Sequence, residues 1–214
     1  MSKNHYYILS GLGADLRVFS RINFPENHTQ LSWIENEPDE ILSQYAKRMA
    51  KKIVHKNPIL IGLSFGGIMA QEIAAIIPVK ELILISTIKS KSEKPWYFEL
   101  AAKLNLISLI PKFLLAKPNI FVAYAFSLTK KEDKKVLQSC FDNTTTQHMK
   151  WSMKQIVNWQ GVKYTSPTFH IHSTHDRIFI TNKNTSDAQI DGGHFAVYTN
   201  AAELNEVLRE KFGD

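Results

Sequence analysis

The chain has 214 residues, 44% of them hydrophobic and 11% aromatic, which points to one globular domain, with or without an insertion, large enough to bury a sizeable core. Its net charge is +6, but runs such as Lys130-Lys131-Glu132-Asp133-Lys134-Lys135 interleave lysines with acids and read as a solvated helix face, against a nucleic-acid footprint. One cysteine, Cys140, excludes an internal disulfide and points to a reducing, cytoplasmic setting. The apolar stretch before Gly11 is too short for a signal peptide. The most apolar stretch, residues 104–128, is broken by Lys112, Lys117 and two prolines, so it is no transmembrane segment and leaves open only weak contact with a lipid surface.

In chain order, Tyr6-Tyr7-Ile8-Leu9 is a short apolar run closed by Gly11 and Gly13, and Gln30-Leu31-Ser32-Trp33-Ile34 is a second. Between residues 39 and 55, Ile41, Tyr45, Met49 and Ile53 recur every four residues among lysines and Arg48, the pattern of an amphipathic helix. Ile59-Leu60-Ile61 predicts a third strand, 68–77 a helix apolar on several faces and ended by Pro78, and 81–85 a fourth strand. Strands with continuous apolar runs are covered on both faces, so these runs imply a parallel sheet sandwiched by helices.

From residue 88 to residue 162 the rhythm changes to lysine-rich and aromatic segments at helical spacing, punctuated by Pro95, Pro111 and Pro118. This length is too great for a plain loop and reads as a helical insertion. Strand character returns in Thr168-Phe169-His170-Ile171-His172 and in Ala188-Gln189-Ile190. A last helix follows Asn200, an N-cap with Glu203 three residues on, and buries Leu204, Val207, Leu208 and Phe212. The expected class is therefore α/β, a mostly parallel doubly wound sheet of about six strands, with 1–87 and 163–214 as the core and 88–162 as an inserted helical lid.

Residues 60 to 70 read LIGLSFGGIMA, placing Ser64 among Gly62, Gly66 and Gly67 directly after a strand. A sharp strand-to-helix turn holds one residue in a strained conformation at the carboxyl end of the sheet and requires small neighbours two positions away on either side. The G-x-S-x-G pattern meets that requirement. A glycine-rich turn with a capping serine is the plainer alternative. With this motif the sequence resembles the α/β-hydrolase family.

The resemblance implies a nucleophilic Ser64, an acid after the strand that follows the insertion, and a histidine before the closing helix. Asp176, in Ser173-Thr174-His175-Asp176, fits the acid, with Asp187 and Asp191 as lesser candidates; His194, in Asp191-Gly192-Gly193-His194-Phe195, fits the base. Only 17 residues separate Asp176 from His194, a short connection for the family. The loop Ser10-Gly11-Leu12-Gly13 has Ser10 where the family often has histidine, and the N–H groups of Leu12 and Phe65 are the expected oxyanion donors.

The implied function is a serine hydrolase that cleaves a small, partly apolar carboxylic ester or thioester through an acyl-enzyme, with no metal or organic cofactor. Lyase or acyltransferase chemistry, or non-catalytic binding of a small molecule, is possible on the same scaffold. Trp96, Tyr97, Phe98, Phe113, Phe121 and Trp151 are candidate pocket residues, against the plainer role of packing lid helices together.

Two other patterns compete. His170, His172 and His175 form H-x-H-x-x-H, with two histidines on one strand face as metal ligands would be, but no second cluster completes a site. Gly11-x-Gly13 after a strand, with Glu35 beyond the second strand, approaches a dinucleotide fingerprint in which Leu16 stands where the third glycine belongs.

Overall fold

Six strands make one sheet in the order β2-β1-β3-β4-β5-β6, every neighbouring pair parallel. They are β1 (Tyr6–Leu9), β2 (His28–Leu31), β3 (Ile59–Leu63), β4 (Glu81–Ile85), β5 (Thr168–Ser173) and β6 (Ala188–Ile190). The computed structural model describes residues 4–116, 119–180 and 186–213; Lys117, Pro118, the polar connection 181–185 and the side chains of Leu16, Lys112 and Ala116 lie outside the described residues.

The period-two alternation of strand side chains builds two cores. Tyr7, Leu9, Leu60, Leu82 and Leu84 point to one face, where they pack with Tyr45 and Met49 of α1 (Leu42–Ala50) and Phe65, Ile68 and Met69 of α2 (Phe65–Ala74). Tyr6, Ile8, Ile59, Ile61, Ile83 and Ile85 point to the other, against Val18 and Phe19 of a 3-10 turn (Leu16–Phe19), Ala196 and Val197 of the one-turn α9 (Ala196–Thr199), and Leu204 and Leu208 of α10 (Ala201–Phe212). Both faces are covered, and this is why the strands read as unbroken apolar runs.

Several boundaries differ from the sequence reading. The second strand lies at His28–Leu31, two residues earlier, because Trp33 and Ile34 are apolar for another reason: Trp33 packs on Phe65, ring centroids 5.2 Å apart, and Ile34 N–H donates to the Tyr45 hydroxyl. α1 is shorter than its stripe, with Ile41 at its N-cap and Ile53 beyond its end. Asn200 does precede α10, but its side chain makes no cap bond; it donates to Glu203 and to the Asp191 carbonyl, while Glu203 Oε2 accepts from Asp191 N–H at 2.8 Å. That acid ties down the loop leading to His194.

Between β4 and β5 the chain forms α3 (Trp96–Lys103), α4 (Leu106–Leu109), α5 (Lys112–Ala116), α6 (Ile120–Ala125), α7 (Lys131–Phe141) and α8 (Thr146–Asn158). α8 joins this excursion to the sheet layer: Trp151 stacks near Tyr45 at 4.6 Å and donates from Nε1 to the Glu40 carbonyl at 2.6 Å. Trp159, just beyond α8, donates to Glu72 of α2 at 2.8 Å. Among the described residues no helix is long and apolar enough to cross a membrane.

Candidate active site

Ser64 is the hinge between β3 and α2, with φ 54° and ψ −118°, a region that side-chain-bearing residues rarely occupy. Its N–H still donates to Ile85 O at 2.9 Å, extending the β3–β4 ladder, while its carbonyl already accepts from Gly67 N–H at 2.9 Å as the first turn of α2. The chain passes from sheet to helix across one residue. A side chain at Gly62 would collide with the backbone of Gly66 and Gly67, and one at Gly66 with the carbonyls of Leu9 and Ser10. These two glycines let the start of α2 sit on the ends of β1 and β3, and so aim the serine out of the sheet.

His194 and Asp176 meet Ser64 there. His194 Nε2 lies 2.9 Å from Ser64 Oγ, and His194 Nδ1 lies 2.7 Å from Asp176 Oδ2. All three are buried, at 7%, 4% and 6% exposure for Ser64, His194 and Asp176. Asp176 Oδ1 accepts from the N–H groups of Ile178 and Phe179 at 2.8 and 2.9 Å. Burial works against its charge, but the His194 imidazole beside it and these hydrogen bonds outweigh burial and hold the carboxyl below its usual range. An ionised Asp176 accepts the Nδ1–H of His194, which leaves Nε2 as the acceptor facing Ser64.

The loop that carries His194 is fixed at several points. Gly192 has φ 126°, His175 N–H donates to its carbonyl at 2.8 Å, and a side chain at Gly193 would strike Ser127. Phe126 meets the imidazole edge-on at 5.2 Å and Phe179 lies 5.6 Å away, so the ring sits in an apolar slot. The other acids are elsewhere: Asp187 accepts from the backbone N–H of His170 at 2.7 Å, and Asp191 faces Thr174 and the exposed ring of His175.

Leu12 is carried by a turn closed by Ala14 N–H donating to Gly11 O at 3.1 Å, with Gly13 at φ 65°. The turn lies against Ser64: a Cβ on Gly11 would sit 3.3 Å from Ser64 Cβ. Among the described residues, neither Leu12 N–H nor Phe65 N–H donates to any acceptor, and Phe65 stands at the positive end of α2. Ser10, in place of a histidine, donates to Ala14 O at 2.7 Å and accepts from Trp33 Nε1 at 3.1 Å, bracing the turn. Beyond it, Asp15 accepts from Arg17 and from Asn143 Nδ2 at 2.9 Å, tying the turn to the end of α7.

No protein-family model matches the chain, and no curated protein does. Solved structures do match. An esterase from Thermogutta terrifontis with bound malate aligns at TM-score 0.71 and 12% identity, over 98% of this chain and 89% of that one. An enol-lactonase from Burkholderia xenovorans LB400 aligns at TM-score 0.64 and 13% identity, over 100% and 93%. A hydrolase from Oleispira antarctica gives TM-score 0.69 at 14% identity, over 100% and 92%. The chain has the α/β-hydrolase fold.

Within this α/β-hydrolase fold a cavity of about 430 Å³ opens over Ser64 and His194, between the carboxyl ends of the strands and helices α3–α8. Of the aromatic residues expected to line it, Tyr97, Phe98 and Phe121 do. Trp96 and Phe113 point to solvent at 75% and 73% exposure, and Trp151 is buried against Tyr45 and Phe65 outside the cavity. Other lining comes from Val18, Leu137, Phe141, Met149, Met153 and Ile156, which the sequence reading did not single out. Met149, Met153 and Ile156 do share one helical stripe on α8, and that spacing was the available signal.

The rival patterns have other uses in the structure. His170 Nε2 meets Thr87 O at 2.9 Å and His172 Nε2 meets Phe179 O at 3.0 Å, both as buried core histidines, while His175 faces outward. Burial lowers both core imidazoles, His170 to about 4. No cluster of three metal-ligating side chains occurs among the described residues. Gly11 and Gly13 lead into the four-residue 3-10 turn Leu16–Phe19, so no long helix presents its N-terminus to a pyrophosphate.

Proposed function

We propose that the chain is a serine-dependent acyl hydrolase acting on small, partly apolar carboxylic esters or thioesters. The observation that carries this reading is the hydrogen-bonded series Ser64 Oγ, His194 and Asp176, at 2.9 and 2.7 Å, opening on an apolar cavity. In the first step His194 Nε2 takes the Ser64 proton as Oγ bonds to the substrate carbonyl carbon. The oxyanion so formed is met by Leu12 and Phe65 N–H, each donor typically worth ~3 kcal/mol in the transition state. His194 then returns the proton to the leaving oxygen or sulfur as its bond to carbon breaks. A water, deprotonated by His194, attacks the acyl-enzyme; carboxylic acid leaves and the proton goes back to Ser64.

Asp176 keeps Nδ1 protonated throughout and stabilises the imidazolium, a role its depressed pKa suits. Helices α3–α8, over 88–162, act as the lid that closes the cavity and excludes water. No metal or organic cofactor takes part. Cys140 is also outside the chemistry: burial pushes its thiol up to about 11, and a single cysteine favours a reducing, cytoplasmic setting.

The test is Ser64→Ala. Hydrolysis of a p-nitrophenyl ester and covalent labelling by a fluorophosphonate probe should both disappear, with the cooperative thermal transition retained. Turnover or labelling that survives the substitution sinks the assignment, and a wild-type protein that neither labels nor turns over any ester leaves the fold with a binding role.

A further inference from the structure

The lining of the cavity is chemically uniform. Among the described residues, the side chains around it that carry N–H or oxygen atoms are those of Ser64, Tyr97 and His194. Each is already engaged: Ser64 with His194, His194 with Asp176, and the Tyr97 hydroxyl with Ile178 O at 2.7 Å. A hydroxyl, amide or carboxylate on the far part of a bound molecule would therefore lose its water and gain no partner, which costs far more than a missing methylene. Much of the remaining wall is built by Val18, Leu137, Phe141, Met149, Met153 and Ile156. Two of these are methionines, whose flexible thioethers fill irregular space around a chain without fixing its shape.

Size narrows the class further. A water-sized group takes about 30 Å³, so a cavity of about 430 Å³ holds on the order of ten methylene-sized groups once packing is allowed for. The two halves of an ester are not equivalent here. The leaving group is bound for one step only, whereas the acyl group stays on Ser64 through acylation and deacylation, so burying the acyl half helps both transition states. Resting on the hydrolase reading above, we infer that the cavity is an acyl-chain receptor and that the substrates are esters or thioesters of unfunctionalised medium-chain carboxylic acids, about six to ten carbons long.

The experiment pairs kinetics with binding. Across p-nitrophenyl esters from acetate to myristate, kcat/KM should climb by about fourfold per methylene, the equivalent of ~0.8 kcal/mol, and turn down beyond about ten carbons. Esters of acetic acid with lengthening alcohols should show no such climb. A terminal carboxylate on the octanoyl chain should cost at least about tenfold. Met153→Trp, which fills the cavity, should lower the ratio of octanoate to acetate turnover and move the optimum to shorter chains. Binding of methyl octanoate and methyl acetate to Ser64→Ala, followed by calorimetry, reads occupancy without chemistry. Octanoate bound well above acetate, in a wild-type protein that hydrolyses neither, overturns the hydrolase reading and keeps the receptor. A flat acyl series with a climbing alcohol series, tolerance of the terminal carboxylate, or equal binding of the two methyl esters overturns the receptor.

Discussion

The two walls of the site are built on different principles. The wall made by the sheet carries the site's braced polar groups: Ser64 is held by the β3–β4 ladder and the start of α2, Asp176 by two backbone N–H groups, and the His194 loop by His175 and Glu203. Among the described residues, the wall made by α3–α8 brings one polar side chain, Tyr97, to the cavity and otherwise hydrocarbon and thioether. Charge separates in the same way. Residues 88–162 hold twelve lysines and five acids, a net +7, while the rest of the chain sums to −1, yet among the described residues no lysine side chain lines the cavity. Backbone geometry thus sets the position of Ser64, His194 and Asp176, and side-chain packing sets what fits against them. Substitutions in the first wall should change rate, those in the second should change choice of substrate.

The largest effect expected tests the first half of that statement. Asp176→Asn keeps the shape and the acceptor for Ile178 and Phe179 but removes the charge that fixes the His194 tautomer. The loss in kcat should be on the order of 10⁴-fold, with the melting temperature little changed. The assay is p-nitrophenyl ester turnover beside a thermal melt. A loss below tenfold would mean that another group orients His194.

Much of the first wall was legible in the sequence because it rests on few residues with narrow tolerances. Gly62 and Gly66 have no room for a side chain, and no neighbouring substitution can compensate for a clash with backbone. The helix that follows was harder to delimit. It was expected to start at residue 68 and starts at Phe65, because glycine is a poor helix former and Ser64 O, accepting from Gly67 and Ile68, supplies the missing nucleation. The second wall was legible as helices but not as a pocket. Trp96 and Phe113 carry the same composition signal as Phe121 and Phe98, and only the way short helices such as α4 and α5 turn against α8 decides which faces inward. Sequence periodicity gives a helix its stripe and leaves its azimuth to packing.

A smaller effect follows from what the first wall buries. His170 and His172 lie under the sheet end with Nδ1 unpartnered among the described residues. Burial lowers the His170 pKa from 6.5 to about 4. Between those values the unfolded chain binds the proton and the folded one does not, so stability falls as pH is lowered from 6.5 towards 4. The loss should reach on the order of 3 kcal/mol at the low end, with His172 adding in the same direction. Urea unfolding at pH 7 and pH 4.5 measures it. His170→Gln, which keeps a donor for Thr87 O, should flatten the slope; an unchanged slope would place the acid sensitivity elsewhere.

The smallest effect expected lies where the two walls touch. Asp15 is bound by Arg17 and Asn143, Arg17 reaches on to the Ser139 carbonyl of α7, and Gly13 packs under Met149 and Phe141. Burial opposes the Asp15 charge, but the hydrogen bonds from Arg17 and Asn143 prevail and hold the carboxyl at about 2. The turn that presents Leu12 N–H is therefore fastened to α7, so on the proposed reading the catalytic wall depends on the selective one at this point. Asp15→Ala should slow kcat by about fivefold, near 1 kcal/mol, while KM for a short ester stays level, because Leu12 N–H, as the proposed oxyanion donor, would act in the transition state and not on the bound ester. Asp15→Asn, which can still accept from Arg17 N–H and Asn143, should recover most of the rate. A rise in KM with kcat unchanged would instead assign Asp15 to the shape of the cavity, and the two walls would be independent.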